Sequence, residues 1–316
     1  EKKFGQGWGK SGSVAELFGE ACVEVGAVES GMHWYQRAVT APDGRASMKA
    51  AEQLANVRGR LGWEIVDKAQ RHRDEMKERL DSTPKTPKAR AAARRALADA
   101  EKRLRESSGT ARKLIRDSLG VLKKLGAMET TMERESLVGS AHKRLALIDA
   151  AVGTRRQVEQ DLRQMKASYQ RAWDVGRKGG MTDLYYPAAN CLVADVALNA
   201  GRRGWRGAGR EVLETVQQGL KAKSGNDADF WSVVGAIELR QYRALAARKL
   251  ASEKGPLERA YQDLRKRVKA TRMWGSVYDT AFLVFRNYAV RASGREKDAA
   301  NALLELLRTF AQPDGE

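Results

Sequence analysis

Apolar residues recur at helical spacing almost from end to end. Val14, Leu17, Phe18, Ala21, Cys22 and Val25 fall at i, i+3, i+4, i+7, i+8 and i+11, the stripe of one amphipathic helix. Ser13 with Glu16 offers a capping box at its start, and Gly26 an end. Val28, Met32, Tyr35 and Val39 form the next stripe, which stops at the turn sequence Ala41-Pro42-Asp43-Gly44. A longer helix is expected from about 46 to 80, ended by the run Asp81 to Pro87. Residues 88–106 are helix-forming but carry a thin stripe made mostly of alanine, and Ser107-Ser108-Gly109 is expected to end that helix. Leu114, Ile115, Leu119, Leu122 and Leu125 then give a short amphipathic helix. Thr130 with Glu133 is a second capping box, ahead of Leu137, Val138, Ala141, Leu145 and Ile148. Further helices are expected near 155–175, 187–200, 207–222, 228–250, 256–271, 275–292 and 296–310, with Ser293 and Glu296 capping the last. No alternating β-branched runs are bounded by turn signals, so the expected class is all-α.

The division of the chain follows from these stripes. Residues 1–12 read as an entry segment and 13–67 as a helical hairpin with a following helix. Residues 68–126 read as a charged, protruding helical insertion, and 127–316 as a second run of hairpins. The chain opens at Glu1 rather than Met, as expected of a piece cut from something longer.

Repeats come before sites. In Ala15 to Asp43 the small residues Gly19, Gly31 and Ala38 would let two antiparallel helices approach, while Phe18 and Tyr35 fill the neighbouring space. A hairpin of this kind cannot bury its own face, so stacking is required. The segment resembles a tetratricopeptide repeat. Val138-Gly139 with His142, then Tyr169 and Ala172, repeat the pattern, as do Val234-Gly235 and Tyr261. The intervals between Gly19, Gly139 and Gly235 share no period, which makes the expected fold an irregular tetratricopeptide-like helical-hairpin solenoid. Over about 130–290, the runs Leu137 to Leu145, Tyr169 to Ala172, Asp183 to Asn190 and Asp229 to Gly235 resemble the TRAFs-binding domain, a tetratricopeptide sensor domain. Its best motif is Tyr185-Tyr186-Pro187-x-x-Asn190, with Ala188 where the family often has Gly. Domains of that family occur in apoptosis signal-regulating kinases and in bacterial multidomain proteins. The resemblance implies a non-enzymatic scaffold or sensor that binds a protein partner. It also implies regulation of a linked effector, such as a caspase-like CHAT peptidase, in a bacterial defence or stress system.

Composition changes the picture in two ways. There are 58 basic and 40 acidic residues, a net charge of +18. Sixteen Lys or Arg against seven acids lie in residues 68–116. Further clusters are Arg202, Arg203, Arg206 and Arg210, and Arg259 through Arg272. Such faces attract phosphates without sequence preference. Aromatics do not interleave with them, so nucleic acid ranks behind protein as the partner. Cys22 and Cys191 form no spacing motif, and no stretch approaches the roughly 18 apolar residues of a membrane span. A reducing cytoplasmic setting is therefore the expectation.

Catalytic chemistry finds little support. Gly5-Gln6-Gly7-Trp8-Gly9-Lys10-Ser11 mimics a phosphate loop, but Phe4 stands where its first glycine belongs. Trp8 is expected to pack on the first hairpin. His33, His72 and His142 have no partners at metal-ligand spacing, so no metal, cofactor or catalytic residue is assigned. The candidate partner or ligand site comprises Tyr185, Tyr186, Asn190, Arg202, Arg203, Arg206 and Trp231. Its bland alternative makes the tyrosines wedges between hairpins and Asn190 a tie for a backbone group. An anionic, nucleotide-like ligand at the same tyrosines and arginines is the second functional reading.

Overall fold

Two short helices, α1 (Gly12–Glu24) and α2 (Val28–Val39), open the described chain in a computed structural model that describes residues 10–83, 86–223 and 229–312. Trp8, with the glycine-rich run it belongs to, lies outside those residues except for Lys10 and Ser11. The described residues hold 12 helices and no strand, an all-α, tetratricopeptide-like arrangement, with 84% of the structure helical.

Small residues set the approach of α1 to α2. A Cβ on Gly19 would stand 2.9 Å from the Tyr35 ring, and one on Gly31 2.7 Å from Val23 Cγ2. Ala15, Trp34, Tyr35 and Ala38 are buried there, with Phe18 tilted on Trp34 at 4.8 Å between ring centres. The inward stripe of α1 is therefore Gly12, Ala15 and Gly19. Leu17 and Val25, expected to point inward, are 65% and 81% exposed. Leu17 is two residues from both Ala15 and Gly19, so it falls on the opposite side of the helix. The expected capping box is also absent, because Glu16 reaches elsewhere. Its carboxylate accepts from Ser47 N at 2.8 Å and Ser47 Oγ at 2.5 Å, where α3 (Met48–Ser82) begins. In return Asp43, in the loop before α3, accepts from Gly12 N at 3.0 and 3.1 Å. Each helix start thus receives a carboxylate from the other side of the hairpin, where the helix dipole favours one. The Gly12 and Arg45 amides hold the Asp43 carboxyl below its ordinary range.

α3 and α4 (Pro87–Met128) form the longest hairpin, about 52 and 63 Å at 1.5 Å per residue. Residue 67, the expected edge of the first domain, is interior to α3. Pro87 sits in the first turn of α4, where its missing N–H is harmless. Ser107-Ser108-Gly109 does not end a helix; it lies in the middle of α4. Ser108 is fully buried and its hydroxyl donates to the Leu104 carbonyl at 2.7 Å, so its competing hydrogen bond is met inside the helix. The buried seam of α4 runs Ala93, Leu104, Ile115 and Ala100, Ala111, Leu122, both in steps of eleven. Eleven residues in three turns is close to the natural helix period, which keeps the seam on nearly one line along α4. Gly62 of α3 faces Ala111 so closely that a Cβ would lie 3.4 Å from its carbonyl oxygen.

α5 (Met132–Val152) packs on both long helices. Its cap is Thr131, which accepts from Arg134 N at 3.1 Å, one residue later than the expected Thr130. Arg134 and Glu52 are both buried and joined at 2.6 Å. The same guanidinium donates to the Leu125 and Glu129 carbonyls at 3.1 and 2.7 Å, tying the ends of α3, α4 and α5. α6 (Arg155–Lys178) follows, and the boundary between two compact units, residues 1–161 and 162–316, falls inside it.

The second unit contains α7 (Tyr185–Asn199), α8 (Arg210–Lys223), α9 (Phe230–Ala247), α10 (Leu250–Arg267), α11 (Thr271–Ala289) and α12 (Gly294–Ala311). α7 packs on α8 and α11, α9 on α8 and α10, and α12 on α10 and α11. Trp274 is fully buried at its centre, with Phe310, Phe230 and Tyr261 edge-on at 5.0, 5.3 and 6.5 Å. Its indole donates to the Val268 carbonyl at 2.7 Å. α10 begins six residues ahead of the expected Pro256. Glu296 explains the early start, for its carboxylate accepts from Leu250 N and Ala251 N at 3.1 and 2.9 Å. It is therefore used on α10 rather than on its own helix, as Glu16 is used on α3.

Candidate functional site

The start of α7 is organised around Tyr185. Asp183 accepts from Tyr185 N at 3.1 Å and pairs with Lys223, the last residue of α8, at 2.9 Å. Lys223 Nζ stands 5.0 Å over the Tyr185 ring. The Lys223 ammonium and the Tyr185 amide hold the Asp183 carboxyl below its ordinary range. The ring fills space left by two glycines. A Cβ on Gly219 of α8 would meet Tyr185 Cβ at 2.7 Å, and one on Gly235 of α9 would meet its hydroxyl at 2.5 Å. Burial, aided by Glu238, Asp229 and Asp183, pushes the phenol up to about 12. Tyr185 is thus a wedge that joins three helices, as the bland reading had it.

Tyr186 differs from its neighbour. It is 52% exposed and stands edge-on to the buried Tyr169 at 5.9 Å. Asn190 Nδ2 donates to the Tyr186 carbonyl at 3.0 Å, which occupies that amide on the backbone. Trp231 is 42% exposed and edge-on to Phe230 at 5.0 Å. It lies one turn before Gly235 and so on the same side of α9 that meets Tyr185. Asp229 accepts from Ser232 N at 2.7 Å and fixes that first turn. Exposed Met181 precedes α7.

The arginines sit elsewhere. Arg202, Arg203 and Arg206 occupy the loop after α7, and fourteen residues of helix put that loop about 21 Å from Tyr185. No small ligand touches both ends, so the seven expected residues do not form one pocket. The loop is firmly held. Trp205 donates to Asp195 at 3.2 Å, and Arg248 donates to the Gly201 and Arg202 carbonyls at 3.3 Å. Arg291 donates to the Ala197 and Ala200 carbonyls at the end of α7. Positive φ at Gly201, Gly204 and Gly207 is what these turns require. Arg203 and Arg206 are exposed on that frame.

Sequence reasoning missed Gly219 and Lys223, whose roles arise only when α8 is laid beside α7. It also missed a polar cluster within the first unit. Arg112 pairs with the buried Asp149, and His142 Nδ1 lies 3.0 Å from Asp161. Burial pushes the Asp149 carboxyl up, against the pull of Arg112. Cys191 is buried, and its thiol is pushed up to about 11 by burial, so it is a poor nucleophile at neutral pH. Among the described residues, no group of three or more His, Cys, Asp or Glu could hold a metal ion. Nor is any helix among them long and apolar enough to cross a membrane.

Paired antiparallel helices, glycines at their crossings and an aromatic wedge between neighbours define the class of tetratricopeptide-type helical interaction folds. Within the chain, residues 72–195 match the family model of the Tetratricopeptide Repeats-Sensor domain. That match supports a sensor domain reaching from the distal half of α3 into α7, and it includes most of the tract read from sequence as an insertion. No curated protein and no solved structure matches the chain.

Proposed function

We propose that the chain is a non-catalytic recognition and sensor module that binds a protein partner and regulates a linked effector. The observation that carries this reading is the sensor-family match over residues 72–195, on a fold built from helical hairpins. Folds of this type commonly serve protein recognition, and shifts in packing between hairpins give them a way to respond to a ligand. The effector class suggested by the family resemblance is a caspase-like CHAT peptidase of a bacterial defence or stress system.

The partner surface in this reading centres on Tyr186 and Trp231. Both expose large aromatic area on helices that Tyr185, Gly219 and Gly235 hold rigid, and aromatic anchors on rigid supports dominate protein interfaces. Arg203 and Arg206 form a separate, more distant contact. The test is capture from native cells with the full chain as bait, with wild type and a Tyr186→Ala/Trp231→Ala double variant run side by side. Recovery of an effector by wild type and its loss from the double variant supports the reading. Equal recovery by both removes this surface, and recovery of no protein removes the partner.

A further inference from the structure

The outer face of α4 carries a second periodic pattern that the seam does not need. Arg94, Arg105 and Arg116 repeat every eleven residues, as do Lys102, Lys113 and Lys124. Each arginine follows or precedes a buried seam position by one residue, about 100° around the helix, and the lysines lie on the back. All six are exposed. Five have no ion-pair or hydrogen-bond partner among the described residues, and Lys102 has only a 4.0 Å contact with Glu106. Because eleven residues make nearly three whole turns, the two rows stay in register instead of winding around the helix. From Arg94 to Lys124 they extend about 45 Å, more than one turn of a nucleic-acid duplex. Of the four acids of α4, Asp99, Glu106 and Asp117 border the lysine row and Glu101 borders the arginine row, four residues before Arg105, so the basic face runs between two acidic edges.

We propose that this ridge docks the phosphate backbone of double-stranded nucleic acid. Unpaired cations repeated along a rigid rod match a regular line of phosphates, and each contact releases counterions. The ridge has no side chain on which a base could stack, since α4 contains no Phe, Trp or Tyr, so a single strand would gain only charge. Recognition is therefore of the backbone and independent of sequence. The ridge and the Tyr186 and Trp231 surface are built from different residues in different units, so failure of the ridge would leave the protein-partner reading untouched.

The experiment measures binding of the full chain to fluorescent 20-base-pair DNA and RNA duplexes of unrelated sequences, as salt is raised from about 50 to 200 mM. Six phosphate contacts give a log–log slope near −5, or about a thousandfold loss over that range. Replacing Arg94, Arg105 and Arg116 with Gln lowers the slope by about three and weakens binding at least tenfold at low salt. These side chains are exposed, and circular dichroism checks the fold. An Arg203→Gln/Arg206→Gln variant, which removes two charges outside α4 and in the other unit, retains binding to within about threefold. Preference for DNA or RNA identifies which duplex is the natural one, and either supports the ridge. Absent binding, salt-insensitive binding or equal loss in the two variants overturns the proposal. Tighter binding to single strands or to poly-glutamate also overturns it, in the second case in favour of an acidic protein.

Discussion

Residues 64–168 contain no Phe, Trp or Tyr, whereas residues 169–310 contain fifteen. The two regions are both helical, yet they cohere by different means. In the first, Ala93, Ala100, Ala111, Gly62 and Ser108 bring α3 and α4 close along a narrow seam. Polar ties such as Arg134 with Glu52 and Arg112 with Asp149 fix the ends. In the second, large rings interlock around Trp274, and glycines at 219 and 235 make room for Tyr185. A small-residue seam resists enlargement, and a ring cluster resists truncation. The contrast also leaves different surfaces. The seam helices turn outward a periodic row of charge, while the ring-packed helices turn outward the spare aromatics Tyr186 and Trp231.

Truncation gives the largest effects. Trp274→Ala is expected to cost about 3–5 kcal/mol in urea unfolding, through lost burial and a cavity. Arg134→Ala should cost a similar amount, about 3–5 kcal/mol, because it leaves Glu52 buried and unpaired. The two differ in rescue. Replacing Glu52 and Arg134 together by Leu and Met should recover most of the loss, since a buried pair is often matched by apolar residues of similar volume. Failure of that rescue would mean that the Arg134 carbonyl contacts, not the ion pair, hold the three helix ends.

Enlargement is the next test. Ala100→Leu should destabilise by about 1–3 kcal/mol, because Ala100 is 1% exposed in a seam with no slack. Gly109→Ala, on the exposed side of the same helix with open space at its Cβ, should stabilise by up to about 1 kcal/mol. Tolerance of Ala100→Leu together with destabilisation by Gly109→Ala would deny that α4 is continuous through Ser107-Ser108-Gly109.

The pH extremes separate the regions more gently. A Tyr185 value of about 12, against the ordinary value near 10, favours the fold below pH 10, and that contribution is lost as pH rises through 12. Tyr242 and Tyr261 are raised well above their ordinary value in the same unit, also by burial. Burial also raises Tyr35 of the first hairpin to about 12, so alkali should loosen that hairpin and the second unit before α3 and α4, which contain no tyrosine, as followed by tyrosinate absorbance and by amide exchange within α3 and α4. At the acid end the sign reverses. The depressed carboxyl of Asp43 contributes stability above about pH 4 that is lost as pH falls through its folded value. Asp43→Asn should lower stability at neutral pH slightly and make the acid limb of thermal melts less steep.

Much of the fold was legible because helical stripes and breakers are local. The first hairpin followed from Gly19, Gly31 and Tyr35, and the end of α3 before α4 from the breakers between Asp81 and Pro87. The errors came from carboxylates and from serine. Glu16 and Glu296 carry capping signals for their own helices, yet both cap a neighbour, a choice that depends on tertiary approach. Ser107-Ser108-Gly109 looks like an end because serine competes for backbone hydrogen bonds, and burial of Ser108 inside the seam removes that competition. At the candidate site, Tyr185 and Asn190 could be weighed as structural from sequence alone. That Tyr186 would stay exposed and that the arginines would lie a helix length away needed the path of α7.

The most direct test is the affinity of the purified full chain for the effector captured with it, by titration calorimetry, for wild type and for Tyr186→Ala/Trp231→Ala. A loss of tenfold or more, with unfolding unchanged, is expected of two aromatic anchors in an interface. Unchanged affinity in a folded double variant would contradict a partner surface at the starts of α7 and α9.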